Sequence, residues 1–457
     1  MNQLLRFFGL LLVWFSLSSG NAFGFDPALA SKLQVTLDSM RNVMSLKGIS
    51  SSVTIPGQGT WFGVSGVSHQ GVNISKNMYL GIASNTKTFM SVLILKLREQ
   101  NLLNLDDSIY HWIDNYQYID STITIRQLLN HTSGIYDVTT KPGYADSILS
   151  NPNRIWTTQE LLVRFLSSPY FPKGQGFQYS NTNYLLLGLI VKAITNSDVS
   201  YKIRQLILNP LSLSNTFFAV EESVPDTIAH PWANGVDISG TPRTSLLSSA
   251  WSAGAMYSNS ENMTRWYQLL FGNQVLNAGS MSQMLTFTPQ SGLSYGLGVI
   301  RYVISGRVLF GHSGSIRGYT SSFLFDTTSK TSIIVMINQY PGNAYMVSSA
   351  LFNTILSNPT NIRKIGFGIP SDFVLEQNFP NPFNLISNVK FQIINSGIVK
   401  IKVYDMLSRE VKTLVNEYKQ PGTYQVSFNA EGLSSGVYLY KITAGDFSET
   451  KKLLLIK

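Results

Sequence analysis

Ser84 and Lys87 stand one helical turn apart in "LGIASNTKTFMSVLILKLREQ", just ahead of an almost unbroken apolar run. On a helix, positions i and i+3 share a face, with Cβ atoms about 5–6 Å apart. A serine at a helix N-terminus has free backbone N–H groups beside its hydroxyl. Such donors can stabilise a developing oxyanion. A lysine held near apolar surface has its pKa lowered from about 10.4, because desolvation disfavours the charged form. It can then accept a proton from the serine, which would justify a lysine in so costly a place. Alone the spacing is weak, and an N-cap serine followed by a surface lysine is the ordinary alternative. S-x-x-K recurs at Ser387/Lys390 and Ser448/Lys451. Both recurrences fall in strand-like stretches, where i and i+3 point to opposite faces.

Two further groups could join the first. In "FQYSNTNYLLLG", Tyr179 and Asn181 fall on a loop just before an apolar helix. A tyrosine can relay protons or act as a second base, and an asparagine can hold an amide carbonyl. A second Y-x-N, Tyr257 to Asn259, reads as a helix start, because Ser258 and Glu261 have capping-box spacing. In "LFGHSGSIRGYTSSF", His312 and Gly314 close a strand-like run. A glycine there lets a substrate backbone approach closely.

Elements must bring these groups together. Phe89 to Leu97 is apolar on nearly all sides and predicts a buried helix. "TIRQLLN" predicts a short helix and "NYLLLGLIVKAIT" a longer one. "GTWFGVSGVSH" predicts an early strand pair. "GRVLFGHSG", "YTSSFLFD" and "TSIIVMIN" predict three sequential antiparallel strands. Near residue 365 the composition shifts to a Gly, Pro and Asn-rich stretch that reads as linker. From Asn388 onward the pattern is all strand. Val399, Ile401 and Val403 share one face, as do Tyr424, Val426 and Phe428, and a small β-sandwich follows.

The order SNTK, YSN, HSG is far stronger than its parts. It resembles the motif order of the penicillin-recognising serine hydrolases, whose third motif is usually K-T-G or H-x-G. The chain resembles the class C β-lactamase and D-alanyl-D-alanine carboxypeptidase family from about Phe25 to Arg363, through "LNLDDSIYHWI", "TIRQLLNHTSGI" and "WSAGAMYSNSENMTRW". H-x-G looks closer to the carboxypeptidase and esterase branch than to the K-T-G β-lactamases. The resemblance implies an α+β, two-lobed fold: an antiparallel sheet flanked by helices, a mostly helical lobe, and the site between them. It implies Ser84 as nucleophile, Lys87 as base and Tyr179 as proton relay. Asn181 would hold the substrate amide, and His312 and Gly314 would line the site on an edge strand. The oxyanion hole would be the N–H groups of Ser84 and Ser315, and His131 a structural loop residue. No cofactor and no metal are implied.

The end of the chain resembles a C-terminal sorting domain of the type IX secretion system, through "LEQNFPNPFN", "VKIKVYDMLSREVKTL" and "GTYQVSFNAEGLSSGVYLYKI". The expected division is a signal peptide at 1–24, the hydrolase at 25–363, a linker at 364–370 and the sorting domain at 371–457. Arg6, the apolar run Phe7 to Leu17, and Ala22 and Gly24 at the −3 and −1 positions carry the signal-peptide reading. No other segment is long enough to cross a bilayer, so no transmembrane segment is expected in the mature protein.

The whole-chain properties fit. The 457 residues exceed one typical domain. With no cysteine, disulfides, thiolate metal sites and a Cys nucleophile are excluded. A formal charge of +9 favours acidic partners such as envelope polymers or anionic substrates. Nucleic acid is not among the expected partners, since no Lys/Arg run tracks a phosphate backbone. The expectation is a secreted or cell-surface serine hydrolase acting on small peptides, esters or β-lactams. A β-lactamase or short-chain esterase is the nearest alternative. A surface binding protein on a non-catalytic hydrolase fold is the alternative from another class.

Overall fold

The structure, a computed structural model, describes residues 25–288, 294–358, 362–364 and 370–457. The expected signal peptide, and the expected linker apart from residues 364 and 370, lie outside the described residues.

The hydrolase region is built on an eight-stranded antiparallel sheet. After helix α1 (Pro27–Val43) come β1 (Gly48–Ile55) and β2 (Gly59–His69). "GTWFGVSGVSH" is therefore one long strand rather than two, paired with β1 from Gly59 to Gly66 and with Val72–Asn73 at its end. The remaining principal strands arrive late in the chain: β3 (Ile300–Ile304), β4 (Arg307–Ile316), β5 (Tyr319–Asp326) and β6 (Ser332–Ile337). The last three are the sequential antiparallel strands that the sequence predicts. They reach β1 through β6, with Val53 opposite Ile333.

Between β2 and β3 the chain makes most of its helices. The principal ones are α2 (Thr86–Glu99), α3 (Asn181–Thr195), α4 (Thr244–Gly254) and α5 (Ser260–Phe271). A final helix, α6 (Ala344–Ser357), follows β6. Both faces of the sheet are covered, and β6 shows why its sequence is continuously apolar. Ile333, Val335 and Ile337 pack with α1 and α6, whereas Ile334 and Met336 join the core containing α2, α3 and α5. α2 is buried at every position from Thr86 to Leu95, as expected of a helix with no polar face. The short helix Ile125–Leu129 forms with a full capping box between Thr124 and Gln127. The expected box from Ser258 to Glu261 does not form. Asn259 is the N-cap of α5 and its side chain accepts from the Asn262 N–H, while Ser258 is still in a short strand.

The tail is a β-sandwich of two four-stranded sheets. One contains β7 (Ile386–Ile393) and β10 (Gly422–Asn429). The other contains β8 (Gly397–Tyr404), β9 (Glu410–Lys419), β11 (Gly436–Ala444) and β12 (Phe447–Leu455). Ser387/Lys390 lie on β7 and Ser448/Lys451 on β12, so neither pair has helical geometry. Ile362–Lys364 pairs with β10, Ile362 facing Val426. The tail's sheet thus recruits residues 362 and 363, which the sequence reading assigns to the hydrolase, and 364, which it assigns to the linker.

Candidate active site

Ser84 sits on a tight elbow. Strand Leu80–Gly81 leads into a short 3-10 turn, Ala83–Asn85, which runs directly into α2. Ala83 takes a positive φ of 49°. Ser84 is thereby placed ahead of the first turn of α2, where backbone N–H groups have no intrahelical acceptor. The elbow is stitched down by buried polar groups. Asn85 donates to Ser321 Oγ at 2.9 Å and accepts from the Tyr267 hydroxyl at 3.1 Å, while Ser321 Oγ donates to the Ile82 carbonyl at 2.8 Å. Gly314 of β4 presses on the same elbow. A Cβ there would lie 2.3 Å from the Ile82 carbonyl oxygen and 3.0 Å from Ala83 Cβ. The missing side chain makes room for the turn that carries Ser84, where the sequence reading reserves the space for substrate.

Lys87 is wholly buried, and its Nζ has three oxygen neighbours: Ser84 Oγ at 3.2 Å, Asn181 Oδ1 at 2.9 Å and the Ala253 carbonyl at 2.7 Å. The Ala253 carbonyl belongs to the last turn of α4, where carbonyls lack intrahelical donors. Burial lowers the Lys87 pKa to about 7, against the opposing pull of Asp137. A neutral amine has two N–H groups and one lone pair. Ala253 O and Asn181 Oδ1 can only accept, so they take the two N–H groups. The lone pair is left facing the Ser84 hydroxyl.

Asp137 was not a sequence candidate. Its Oδ2 accepts from Asn181 Nδ2 at 3.0 Å, and its Oδ1 accepts from the Thr139 N–H and hydroxyl at 3.0 and 2.9 Å. The carboxylate fixes the Asn181 amide with its oxygen toward Lys87. Asn181 is the first residue of α3 rather than a loop residue. The Thr182 hydroxyl binds that helix to the Asp137 loop, accepting from the Val138 N–H at 3.0 Å and donating to the Tyr136 carbonyl at 2.8 Å. Asn181 is thus engaged on both ends of its amide.

The Tyr179 hydroxyl is buried without a hydrogen bond of ordinary geometry. Burial pushes its pKa far up, with the Ser84 hydroxyl acting the other way. A phenol so placed stays protonated at neutral pH and can donate or relay a proton. His131 holds this loop: its Nδ1 accepts from the Ser180 N–H at 3.2 Å and from Asn183 Nδ2 at 3.1 Å. Its ring centroid is 4.3 Å from that of Tyr179.

His312 is 2% exposed. Its Nδ1–H donates to the Ser313 carbonyl at 2.5 Å, which leaves Nε2 to accept from the Tyr295 hydroxyl at 2.9 Å. Burial lowers its pKa to about 3, so the ring is neutral. β4 is an inner strand, between β3 and β5, and not the edge strand the resemblance implies. Its pairing with β3 ends at Gly311, opposite Ile300, so Ser313–Ile316 run on past that partner. Ser315 is exposed there and, with Ser84 and Asn181, lines a cleft of about 440 Å³.

A sheet-and-helix fold with a serine elbow over a buried lysine, its pKa lowered by that burial, points to the serine hydrolase class, and similarity to known proteins agrees. The beta-lactamase family model matches residues 38–354, so the chain belongs to that family of serine hydrolases. A secretion system C-terminal sorting domain matches residues 377–457, which marks the protein for type IX export to the surface or medium. "Protein flp" of Staphylococcus aureus (strain NCTC 8325 / PS 47) is 29% identical over 274 residues, 56% of this chain and 52% of that protein. The chain therefore spans about half the length of this relative. "Penicillin-binding protein 4*" of Bacillus subtilis (strain 168) is 24% identical, over 60% of this chain and 63% of that one. Among solved structures, a D-stereospecific amidohydrolase from Streptomyces sp. superposes with a TM-score of 0.65 at 26% identity, covering 71% of this chain and 98% of that one.

Proposed function

We propose that the protein acts on amide or ester substrates through an acyl-enzyme on Ser84, after export across the cell envelope. Ser84 Oγ attacks the substrate carbonyl while its proton passes to Lys87 Nζ. The N–H groups of Ser84 and Ser315 hold the resulting oxyanion. The intermediate collapses, the C–N or C–O bond breaks, and the leaving group takes a proton through Tyr179. Water then cleaves the ester on Ser84 and releases the acid. The observation that carries this reading is the Lys87 amine, buried, lowered to about 7 and 3.2 Å from Ser84 Oγ. The D-stereospecific amidohydrolase of Streptomyces makes amides of D-configured acids the first substrates to try, and the penicillin-binding relative of Bacillus makes a penicillin the first acylating probe. A β-lactamase reading is weaker, because His312, at the position of the K-T-G lysine, presents no cation to a β-lactam carboxylate.

The test is covalent labelling. A fluorophosphonate and a fluorescent penicillin are incubated with the purified protein, and the adduct is mapped by mass spectrometry. Labelling of Ser84 by either probe, lost in Ser84→Ala, is the expected result. An adduct on Ser387 or Ser448 would overturn the assignment. A folded protein that no acylating probe labels would favour a binding role instead.

A further inference from the structure

The cleft extends from Ser84 to one side. Its apolar wall is made by Tyr144, Ile148, Leu149, Leu246, Ala250 and Ile316. Tyr179, His312 and Tyr295 are not part of the lining. A leaving group must receive a proton, so under the proposed function it lies beside the Tyr179 hydroxyl. The cleft on the other side then receives the acyl part of the substrate.

The charge in that cleft is lopsided. Arg317, exposed, is the one charged residue lining it among the described residues. Among the described residues no Asp or Glu lines it. Asp137, the carboxylate behind Asn181, is 4% exposed and has both oxygens engaged. Residues 1–24, 289–293, 359–361 and 365–369, outside the described set, contain no Asp or Glu. An ammonium group on the acyl portion would lose water here, find no carboxylate, and face a guanidinium. Polar neutral groups are present instead: Thr139, Asn234 and Ser249 line the same cleft. They can hydrogen-bond an amide.

We propose that this cleft is an acyl subsite for apolar acyl groups whose α-nitrogen is capped as an amide, that it rejects a free α-ammonium, and that Arg317 pairs with a carbonyl or carboxylate on the cap. The inference rests on the proposed function only for the orientation of the substrate. It separates N-acylated amides and esters, as substrates, from free amino-acid amides.

Binding to the Ser84→Ala variant tests it without turnover. N-acetylphenylalaninamide and phenylalaninamide, each as D and L enantiomers, are titrated by calorimetry near neutral pH. The acetylated member of the better-bound enantiomer is expected to bind at least about tenfold tighter. Its N-succinyl counterpart should bind tighter still, and Arg317→Glu should cancel that gain and narrow the acetyl preference. Raising the pH to about 9, where the free amine loses its charge, should also narrow the gap. Equal or tighter binding of the free amine, or no binding of any of these ligands, overturns the subsite. The two readings fail separately. Preferential binding with no labelling of Ser84 in the wild type sinks the acyl-enzyme and supports the subsite. Labelling and hydrolysis with no preference for the capped substrate sinks the subsite alone.

Discussion

At the residue scale the proposed mechanism turns on Lys87. As a base it would have to act in its neutral form, and a pKa lowered by burial to about 7 puts the change of state inside the working range. kcat/KM is therefore expected to rise as the pH passes upward through about 7, measured on any substrate the enzyme turns over. Lys87→Arg keeps a cation but supplies no neutral amine, and should lose about 10²-fold or more with its acidic limb abolished. Asp137 is read here as a positioning residue. It holds Asn181 and also raises the Lys87 pKa. Asp137→Asn removes that charge, so the acidic limb should move to lower pH while kcat falls about 10-fold to 10²-fold through the loosened amide. A variant that loses kcat with its limb unmoved would mark Asp137 as merely structural. Ser84 and Lys87 were legible in the sequence because one helical turn joins them. Asp137 and Asn181 are 44 positions apart, and an Asp followed two residues later by Thr is ordinary turn chemistry. Only folding brings that carboxylate to the lysine.

At the scale of elements, the site depends on how closely β4 approaches the elbow before α2. Gly314 allows that approach, and a Cβ there would meet backbone at 2.3 Å, which cannot rotate aside. Gly314→Ala should therefore destabilise by about 1–3 kcal/mol, read by thermal or urea unfolding. Because the strain falls on Ile82 and Ala83, labelling of Ser84 should slow by more than the stability loss accounts for. An alanine variant with wild-type labelling would show that the elbow tolerates displacement. The end of α4 contributes in a comparable way. Its helical geometry is interrupted at Trp251, with φ 31° and ψ −121°, and two residues later the Ala253 carbonyl meets Lys87. The helices and the late strands were readable from periodicity, since buried elements are continuously apolar and half-buried ones alternate. The strand-like extension of β2 through its glycines was not, because glycine reads as a turn until a partner strand is seen beside it. Nor was the inner position of β4, since sheet order is set by pairing between segments far apart in the chain.

At the scale of the molecule, three hydrophobic cores among the described residues share one chain, two in the hydrolase region and one in the tail. Among the described residues, the tail's core and the side chains packed on it run from Phe373 to Leu455, whereas those of the hydrolase region end at Leu356. All the residues proposed to act on substrate lie upstream. The separation should be testable by truncation, and the structure says where to cut. Ile362–Lys364 is already a strand of the tail's sheet, paired with Tyr424 to Val426. A chain ending at Ile369 would keep that strand without its partner, exposing unpaired backbone groups and an edge that invites association. A chain ending at Asn358 removes it and keeps α6 whole. The Asn358 truncation should fold, remain monodisperse at the concentrations where the Ile369 form associates, and label at Ser84 at the full-length rate. In the native host it should stay inside the outer membrane, because the sorting domain is gone. Fractionation of cells carrying full-length and truncated forms, with fluorophosphonate labelling of each fraction, measures both. Truncated protein in the medium or on the surface would sink the role of the tail in export. Truncated protein that is retained but unlabelled would make the tail part of the catalytic fold.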